Sequence, residues 1–350
     1  MKIAKEVISS IHGEITLYKI TNSHGSIVEL SSLGAGITSI IVPDVHGTLD
    51  NVVISYANAT DYFNDGPCAG KTPGRYANRI ANGKFTLDGT EYQLAINNGP
   101  NALHGGPMGF QNQLWDSKFD ENQGKVIFSH TSKDGYEGYP GTLNAHVTYT
   151  WSEQNQLTIE YHATTDKTTV INLTNHTYFN LSGQGTILHH KLWLNSTTYL
   201  PTDSTLIPIG TFEHVTGTPM DFTQAKPLGQ DIKTDFPALN YGKGYDNCWV
   251  IQDWAKDKLQ KVATLTEDHT QRRLEVFTTQ PAVQVYTGNW LSGCPNNKTG
   301  ISYNDYDGVA IECQGMPDAP NKPQFPTQEL HAGATYNQII KFSFSINAQK

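Results

Sequence analysis

Lys84-Phe85-Thr86-Leu87-Asp88-Gly89-Thr90-Glu91-Tyr92-Gln93-Leu94 is the stretch from which the fold is read. Apolar residues recur at every second position on both sides of Asp88-Gly89. That period puts one set of side chains on one face of a strand, and Asp-Gly supplies the positive φ angles of a two-residue type I′ turn. The stretch therefore predicts a tight antiparallel hairpin. The same period recurs along the chain and predicts strands over Leu143–Trp151, Gln156–His162, Thr169–Leu173, Lys191–Leu194, Arg273–Thr278, Val309–Ile311 and Ile339–Phe344. Helical patterns are short and weak. One is allowed over Asp253–Leu259, and Thr60–Asn64 makes at most a single turn. Many short strands separated by turn signals predict an all-β chain, a large antiparallel β-sandwich. There is no clear repeat, low-complexity block or linker. The Pro-rich stretch Pro317–Pro326 is short and follows a strand, so it reads as an ordered loop, and residues 1–350 are expected to form a single domain.

Composition narrows the function classes. The chain has 350 residues, 24 basic and 33 acidic, for a formal charge of −9. No block of like charges occurs, which argues against nucleic acid or an anionic membrane surface as a partner. Met1-Lys2-Ile3-Ala4-Lys5-Glu6 lacks the apolar core of a secretory signal, and no apolar run is long enough to span a bilayer. Cys68, Cys248, Cys294 and Cys313 are widely spaced and form no CxxC, so reduced thiols in the cytoplasm are expected rather than a zinc site. The Asn-x-Ser/Thr triplets at Asn58, Asn172, Asn175, Asn195 and Asn297 are then chance matches.

Several chemistries lack their motifs. No serine sits in GxSxG. Gly70-Lys71-Thr72 ends like a phosphate-binding loop, but Asp65 stands where the leading glycine belongs. Gly34-Ala35-Gly36 and Gly242-Lys243-Gly244 do not continue to GxGxxG, and HExxH is absent. His189 and His190 are adjacent, so on a strand they point to opposite faces. No cofactor and no metal is expected.

Five polar segments remain: Gly74–Ile80, Asn101–Gly106, Asn172–Leu181, Gly244–Asn247, and Gly308–Gln314 running into Pro317–Asn321. Taken singly, most have a structural explanation. Asn78 forms turns, Arg79 is a surface charge, His104 ends a strand before Gly105-Gly106, and Asp246 caps a turn. His176 fits a hydrogen-bonded structural histidine as well as a catalytic one. Gln284 shares a strand face with Tyr286, either a cleft wall or the solvent side. Glu312 is different. It continues the apolar Val309-Ala310-Ile311, and a buried carboxylate must be paired or carry a raised pKa, a condition that clusters at active sites.

Taken in order, the segments resemble the aldose 1-epimerase family. Gly74–Ile80 is similar to its GR-x-x-NRI stretch, Asn101–Gly106 to its NxLHGG and Asn175–Leu181 to its NHxYFNL. Tyr245-Asp246 is similar to its strand-end aspartate motif, and Glu312–Asn321 to its glutamate strand and PDAxN loop. The likeness runs from Leu33-Gly34-Ala35 to Ala332–Tyr336, almost the whole chain. It implies the galactose mutarotase-like sandwich with an open sugar cleft. It also implies a cofactor-free isomerase acting on a monosaccharide, as monomer or homodimer. Glu312 would be the general base and His176 the general acid, with His104 and Arg79 against sugar oxygens near the reacting carbon. Asn78, Asp246 and Gln284 would hold hydroxyls, and Tyr178 would line the cleft. Two departures, Cys313 where threonine is common and His331 before Ala332-Gly333 where many members carry proline, touch no catalytic role.

The chemistry requires these groups. A base removes the C1 hydroxyl proton while an acid protonates the ring oxygen. The C1–O5 bond opens to an aldehyde, C1–C2 rotates, and closure reverses the transfers. One base and one acid are therefore expected on opposite sides of the C1–O5 unit, each contributing on the order of 10²–10⁴-fold. An ionised Glu312 and a protonated His176 form the required starting pair, and a neighbouring carboxylate, Glu312 or Asp246, is expected to raise the pKa of His176. Three rivals are a hexose-6-phosphate epimerase, which needs extra basic residues for phosphate, a non-catalytic sugar-binding sandwich, and a glycosidase, which needs paired carboxylates.

Overall fold

The computed structural model describes residues 1–63 and 65–347. Among the described residues the strands pair antiparallel throughout, and a single parallel bridge links Tyr76 to Asn172. The largest sheet has nine strands in the order Asp116–Asp120, Lys125–Ser132, Leu143–Trp151, Gln156–Thr165, Thr335–Ile346, Arg272–Thr278, Gln260–Thr266, Lys191–Leu194 and Lys226–Pro227. The last long strand in sequence, Thr335–Ile346, thus lies in the middle of the sheet. A six-stranded sheet packs against it, ordered Tyr178–Phe179, Val309–Gln314, Ala282–Tyr286, Asp246–Val250, Thr198–Leu200 and Glu213–His214. A five-stranded sheet formed from residues 2–51 completes the body.

Alternation drives this packing. In Leu143–Trp151 the odd-numbered residues Leu143, Ala145, Val147, Tyr149 and Trp151 are buried while those between reach solvent. Phe179 of the six-stranded sheet meets Phe342 of the nine-stranded sheet edge to face, ring centroids 5.0 Å apart, an arrangement that adds to the burial of both rings. By contrast every residue of Val309–Gln314 is buried, so a polar side chain there must be satisfied from within or serve a site.

The hairpin forms as its residues dictate. Lys84–Leu87 pairs with Thr90–Gln93, and Asp88 (φ 50°) and Gly89 (φ 78°) both take the left-handed conformation. Two expectations need correction. Asp253–Leu259 is a run of turns, not a helix, because Asp253 (φ 54°) and Asp257 (φ 62°) are left-handed. The α-helix lies instead at Pro237–Gly242, begun by Pro237 at its first turn. Of Thr169–Leu173, only Thr169–Val170 joins a ladder. Ile171 N–H donates to the Gln328 carbonyl and Leu173 N–H to the Tyr336 hydroxyl. Ala59–Tyr62 is a single 3-10 turn, and Asn64 lies outside the described residues.

Candidate active site

A cleft of about 990 Å³ opens beside the six-stranded sheet. Asn78, Arg79, His104, His176, Tyr178, Asp246 and Glu312 line it together, although they come from five separate stretches of sequence. Gln284 is the exception among the expected residues. It is buried on the same face of the sheet as Glu312, and its Nε2 donates to Asp246 Oδ1 at 2.6 Å. It therefore orients Asp246 rather than lining the cleft.

Pairing register sets the floor. Gln284 is directly opposite both Cys248 and Glu312, while Tyr286 is opposite Asp246 and Ala310. Glu312 is consequently carried on a central, fully buried strand, 2% exposed. Its Oε2 has no hydrogen-bond partner. Asp246 begins the next strand but one, on the far side of Ala282–Tyr286, and meets Arg79, Nη2 to Oδ2 3.3 Å. Arg79 Nε donates to Asn98 Oδ1 at 3.0 Å, so the guanidinium is held at both ends.

His104 and Asn78 form a mutual clasp. The two-residue ladder Arg79–Ile80/Ala102–Leu103 ends with both residues left-handed, Asn78 at φ 64° and His104 at φ 54°. His104 N–H donates to the Asn78 carbonyl (3.0 Å), and Asn78 N–H donates to His104 Nδ1 (3.1 Å). An Nδ1 that accepts leaves the proton on Nε2, so neutral His104 offers the cleft a donor. Burial first, then the charges of His176 and Arg79, hold its pKa well below the usual histidine range. Gly105 must follow, because a Cβ there would stand 2.0 Å from the Gly74 carbonyl oxygen.

The segment before Tyr178 is extended but almost ladder-free, and its asparagines supply the missing bonds. Asn172 Nδ2 donates to the Ala77 and Gly315 carbonyls, and its Oδ1 accepts from Gly315 N–H. Asn175 Nδ2 donates to the Gly70 carbonyl. His176 is fixed through its backbone: its N–H donates to the Lys71 carbonyl and its own carbonyl accepts from Gly70 N–H, both at 2.9 Å. The imidazole lies against Tyr178, ring centroids 4.9 Å apart, and Tyr178 donates its hydroxyl to the Pro67 carbonyl. The Pro317–Asn321 loop is structural: buried Asp318 accepts from Ala81 N–H, and its own N–H donates to the Arg79 carbonyl.

His176 Nε2 and Glu312 Oε1 are 3.5 Å apart. The two groups stand side by side on the cleft floor, not across it from one another. Their protonation also differs from expectation. Burial holds His176 down to about 4, and the carboxylate of Asp246 recovers only part of that. Burial, then Asp246, pushes Glu312 well above the carboxylate range, while Arg79 pulls it back. Both shifts favour the neutral forms, a protonated Glu312 beside an unprotonated His176, because burial strips solvation from either charge.

Other residues reach the cleft without a clear signal in the sequence. Asn98 belongs to a turn, Asn97-Asn98-Gly99-Pro100, that reads as a loop. Tyr286 is marked only by sharing the Gln284 face. Trp290, 65% exposed on the rim, carries no pattern. Asp65 also reaches the cleft, where it is neutralised by a buried ion pair with Lys71.

This fold and cleft define a family, and residues 16–343 match its model, aldose 1-epimerase. The chain belongs to the aldose 1-epimerase family. It is 42% identical to galactose mutarotase of Sus scrofa over 321 residues, 91% of each chain. It is 37% identical to aldose 1-epimerase of Escherichia coli (strain K12) over 332 residues, 94% of each. A solved aldose epimerase homologue from C. elegans superposes with a TM-score of 0.87 at 31% identity, covering 98% of this chain and 99% of the other.

Proposed function

We propose that the chain interconverts the α and β anomers of free hexoses such as D-galactose and D-glucose, using Glu312 and His176 as the proton-transfer pair. The observation that carries this reading is their 3.5 Å approach on a buried cleft floor. The two sugar oxygens that must exchange protons, O1 and O5, are both bonded to C1. A base and an acid placed side by side reach both without crossing the cleft.

In the working state Glu312 takes the O1 proton as His176 gives one to O5. The C1–O5 bond breaks to the aldehyde, C1–C2 rotates, and reclosure on the other face returns both protons. The ionised pair and the neutral pair hold the same number of protons, so reaching the working state needs only a shift of one proton between neighbours. A sugar hydroxyl donating to the unpartnered carboxylate oxygen favours that shift, as does Arg79. His104 Nε2–H and Arg79 then donate to oxygens near C1 without losing a proton. Asp246, braced by Gln284, and Asn78 hold the distant hydroxyls. The resting proton on Glu312 favours a second assignment in which the roles are exchanged, with Glu312 protonating O5 and His176 receiving the O1 proton. A structure with bound galactose separates the two by which residue lies within hydrogen-bond reach of O5.

Arg79 is the only lysine or arginine lining the cleft among the described residues, against Asp61, Asp65, Asp246 and Glu312. That balance supports a neutral sugar over a hexose phosphate. One chain supplies all the site residues named, so monomer and homodimer serve equally, and residues 1–350 act as one domain. Four unpaired cysteines support a cytoplasmic home. The test is polarimetry on fresh α-D-galactose after EDTA treatment. Accelerated mutarotation is expected. A rate abolished by chelation and restored by a divalent ion refutes the cofactor-free mechanism, and binding without turnover would favour a lectin-like module.

A further inference from the structure

The outer face of the nine-stranded sheet carries a row of polar side chains that the cleft does not use. Strand pairing aligns Ser129, His146, His162 and Asn337 directly across four adjacent strands. Their neighbours in sequence, Phe128, Val147, Tyr161 and Tyr336, are buried on the opposite face. The two imidazoles are therefore paired on the solvent side, ring centroids 6.1 Å apart with planes inclined by 32°.

Each ring is turned by its outer neighbour. His162 Nδ1 meets Asn337 Oδ1 at 2.8 Å, and His146 Nδ1 meets Ser129 Oγ at 2.9 Å. Asn337 Nδ2 donates to Thr335 Oγ1, which fixes that amide with its oxygen toward the histidine. An amide oxygen only accepts, so His162 carries its proton on Nδ1 and leaves a lone pair on Nε2. Ser129 can accept in the same way from His146. In an imidazole, Nδ1 and Nε2 lie on opposite sides of the ring axis. Drawing both Nδ1 atoms outward, toward the flanking strands, turns both Nε2 atoms inward over the gap between the two histidine strands. Metal-ligating histidines have this arrangement, one nitrogen on the metal and the other donating to an oxygen that fixes tautomer and ring.

We propose that His146 and His162 form a surface site for a borderline divalent cation, Zn²⁺, Ni²⁺ or Cu²⁺, separate from the sugar cleft. Metal–nitrogen distances of about 2.0–2.1 Å at a tetrahedral angle place two ring centroids about 5 Å apart, so the pair needs to close by ~1 Å. No third His, Cys, Asp or Glu joins them among the described residues, so water completes the shell and the site is a weak, exchangeable one. Imidazole nitrogen selects these ions over Mg²⁺ or Ca²⁺.

The experiment is calorimetric titration of NiCl₂ and ZnCl₂ into EDTA-stripped, desalted protein. One cation per chain is expected to bind, with MgCl₂ giving no heat. His146→Asn and His162→Asn should each weaken binding about tenfold or more, and Asn337→Ala by about tenfold through loss of ring orientation alone. All three exposed-face variants should keep full mutarotation. Wild-type protein that binds neither ion, or a His146→Asn/His162→Asn double variant that titrates like wild type, overturns the proposal.

Discussion

Replacing Glu312 by glutamine changes one property of the cleft floor, its capacity to take and return a proton. The side chain keeps its size, so no cavity opens in the fully buried strand around it. One positioned proton-transfer group is worth about 10²–10⁴-fold, or about 2.7–5.5 kcal/mol of barrier at 1.36 kcal/mol per decade. Since the transfer occurs only in the transition state, kcat and kcat/KM should fall together. Stability should move the other way. The folded pKa of Glu312 is raised by burial, so its favourable contribution is present at low pH and is lost as pH rises through that pKa. A neutral amide has no such loss, and Tm at pH 8 should equal or exceed wild type. Polarimetry on fresh α-D-galactose, beside a thermal melt, reads both. His176→Asn should match the kinetic loss, and the double variant should lose little more, because either loss already disables the pair. A folded Glu312→Gln protein with kcat within about threefold of wild type, against the ~10² minimum for such a group, refutes the assignment of this residue.

Buried histidines set the acid limit of the fold: His130, His176 and His190 are each held to about 4 by burial. A depressed histidine contributes stability that is present above the unfolded pKa and lost as pH falls through the folded one. Tm should therefore drop between pH 6.5 and 4, each histidine adding about 1.4 kcal/mol per pH unit to the slope; a flat Tm across that window contradicts this. Gly105→Ala should cost about 3 kcal/mol and displace His104, since the new Cβ meets backbone that cannot give; chemical denaturation measures it, and a loss below about 0.5 kcal/mol counts against the geometry. Glucose 6-phosphate should show a lower kcat/KM than glucose, because the cleft offers its phosphate only Arg79; parity would move the assignment to a phosphate epimerase.

What was legible in the sequence was local or periodic. Asp88-Gly89 announced its turn because two successive positive φ angles have few sequence solutions, and Leu143–Trp151 announced its buried face by strict alternation. Glu312 stood out because an acid rarely continues an apolar strand. What was hidden depends on residues far away in the chain. Gln284 alone reads more readily as the solvent side than as a cleft wall, since its face is decided by what packs there; it is buried and braces Asp246. Asp253 and Asp257 take the left-handed conformation in surface turns, which a helical pattern does not reveal. Residue types suggest a charged His176–Glu312 pair, whereas burial, a property of the assembled cleft, makes the neutral one cheaper.

The central place of Thr335–Ile346 in the nine-stranded sheet bears on how the chain is made. Its partners, Gln156–Thr165 and Arg272–Thr278, leave the ribosome long before it does. Until residues 335–346 emerge, each presents an unpaired edge of the kind that templates aggregation. Closing the sheet must bridge some 180 residues on one side, a contact of high sequence separation and hence a slow one. The nascent chain is thus most exposed after Arg272–Thr278 has emerged and before Thr335–Ile346 has, and chaperone dependence should be greatest for ribosome-bound intermediates that stop just short of this strand.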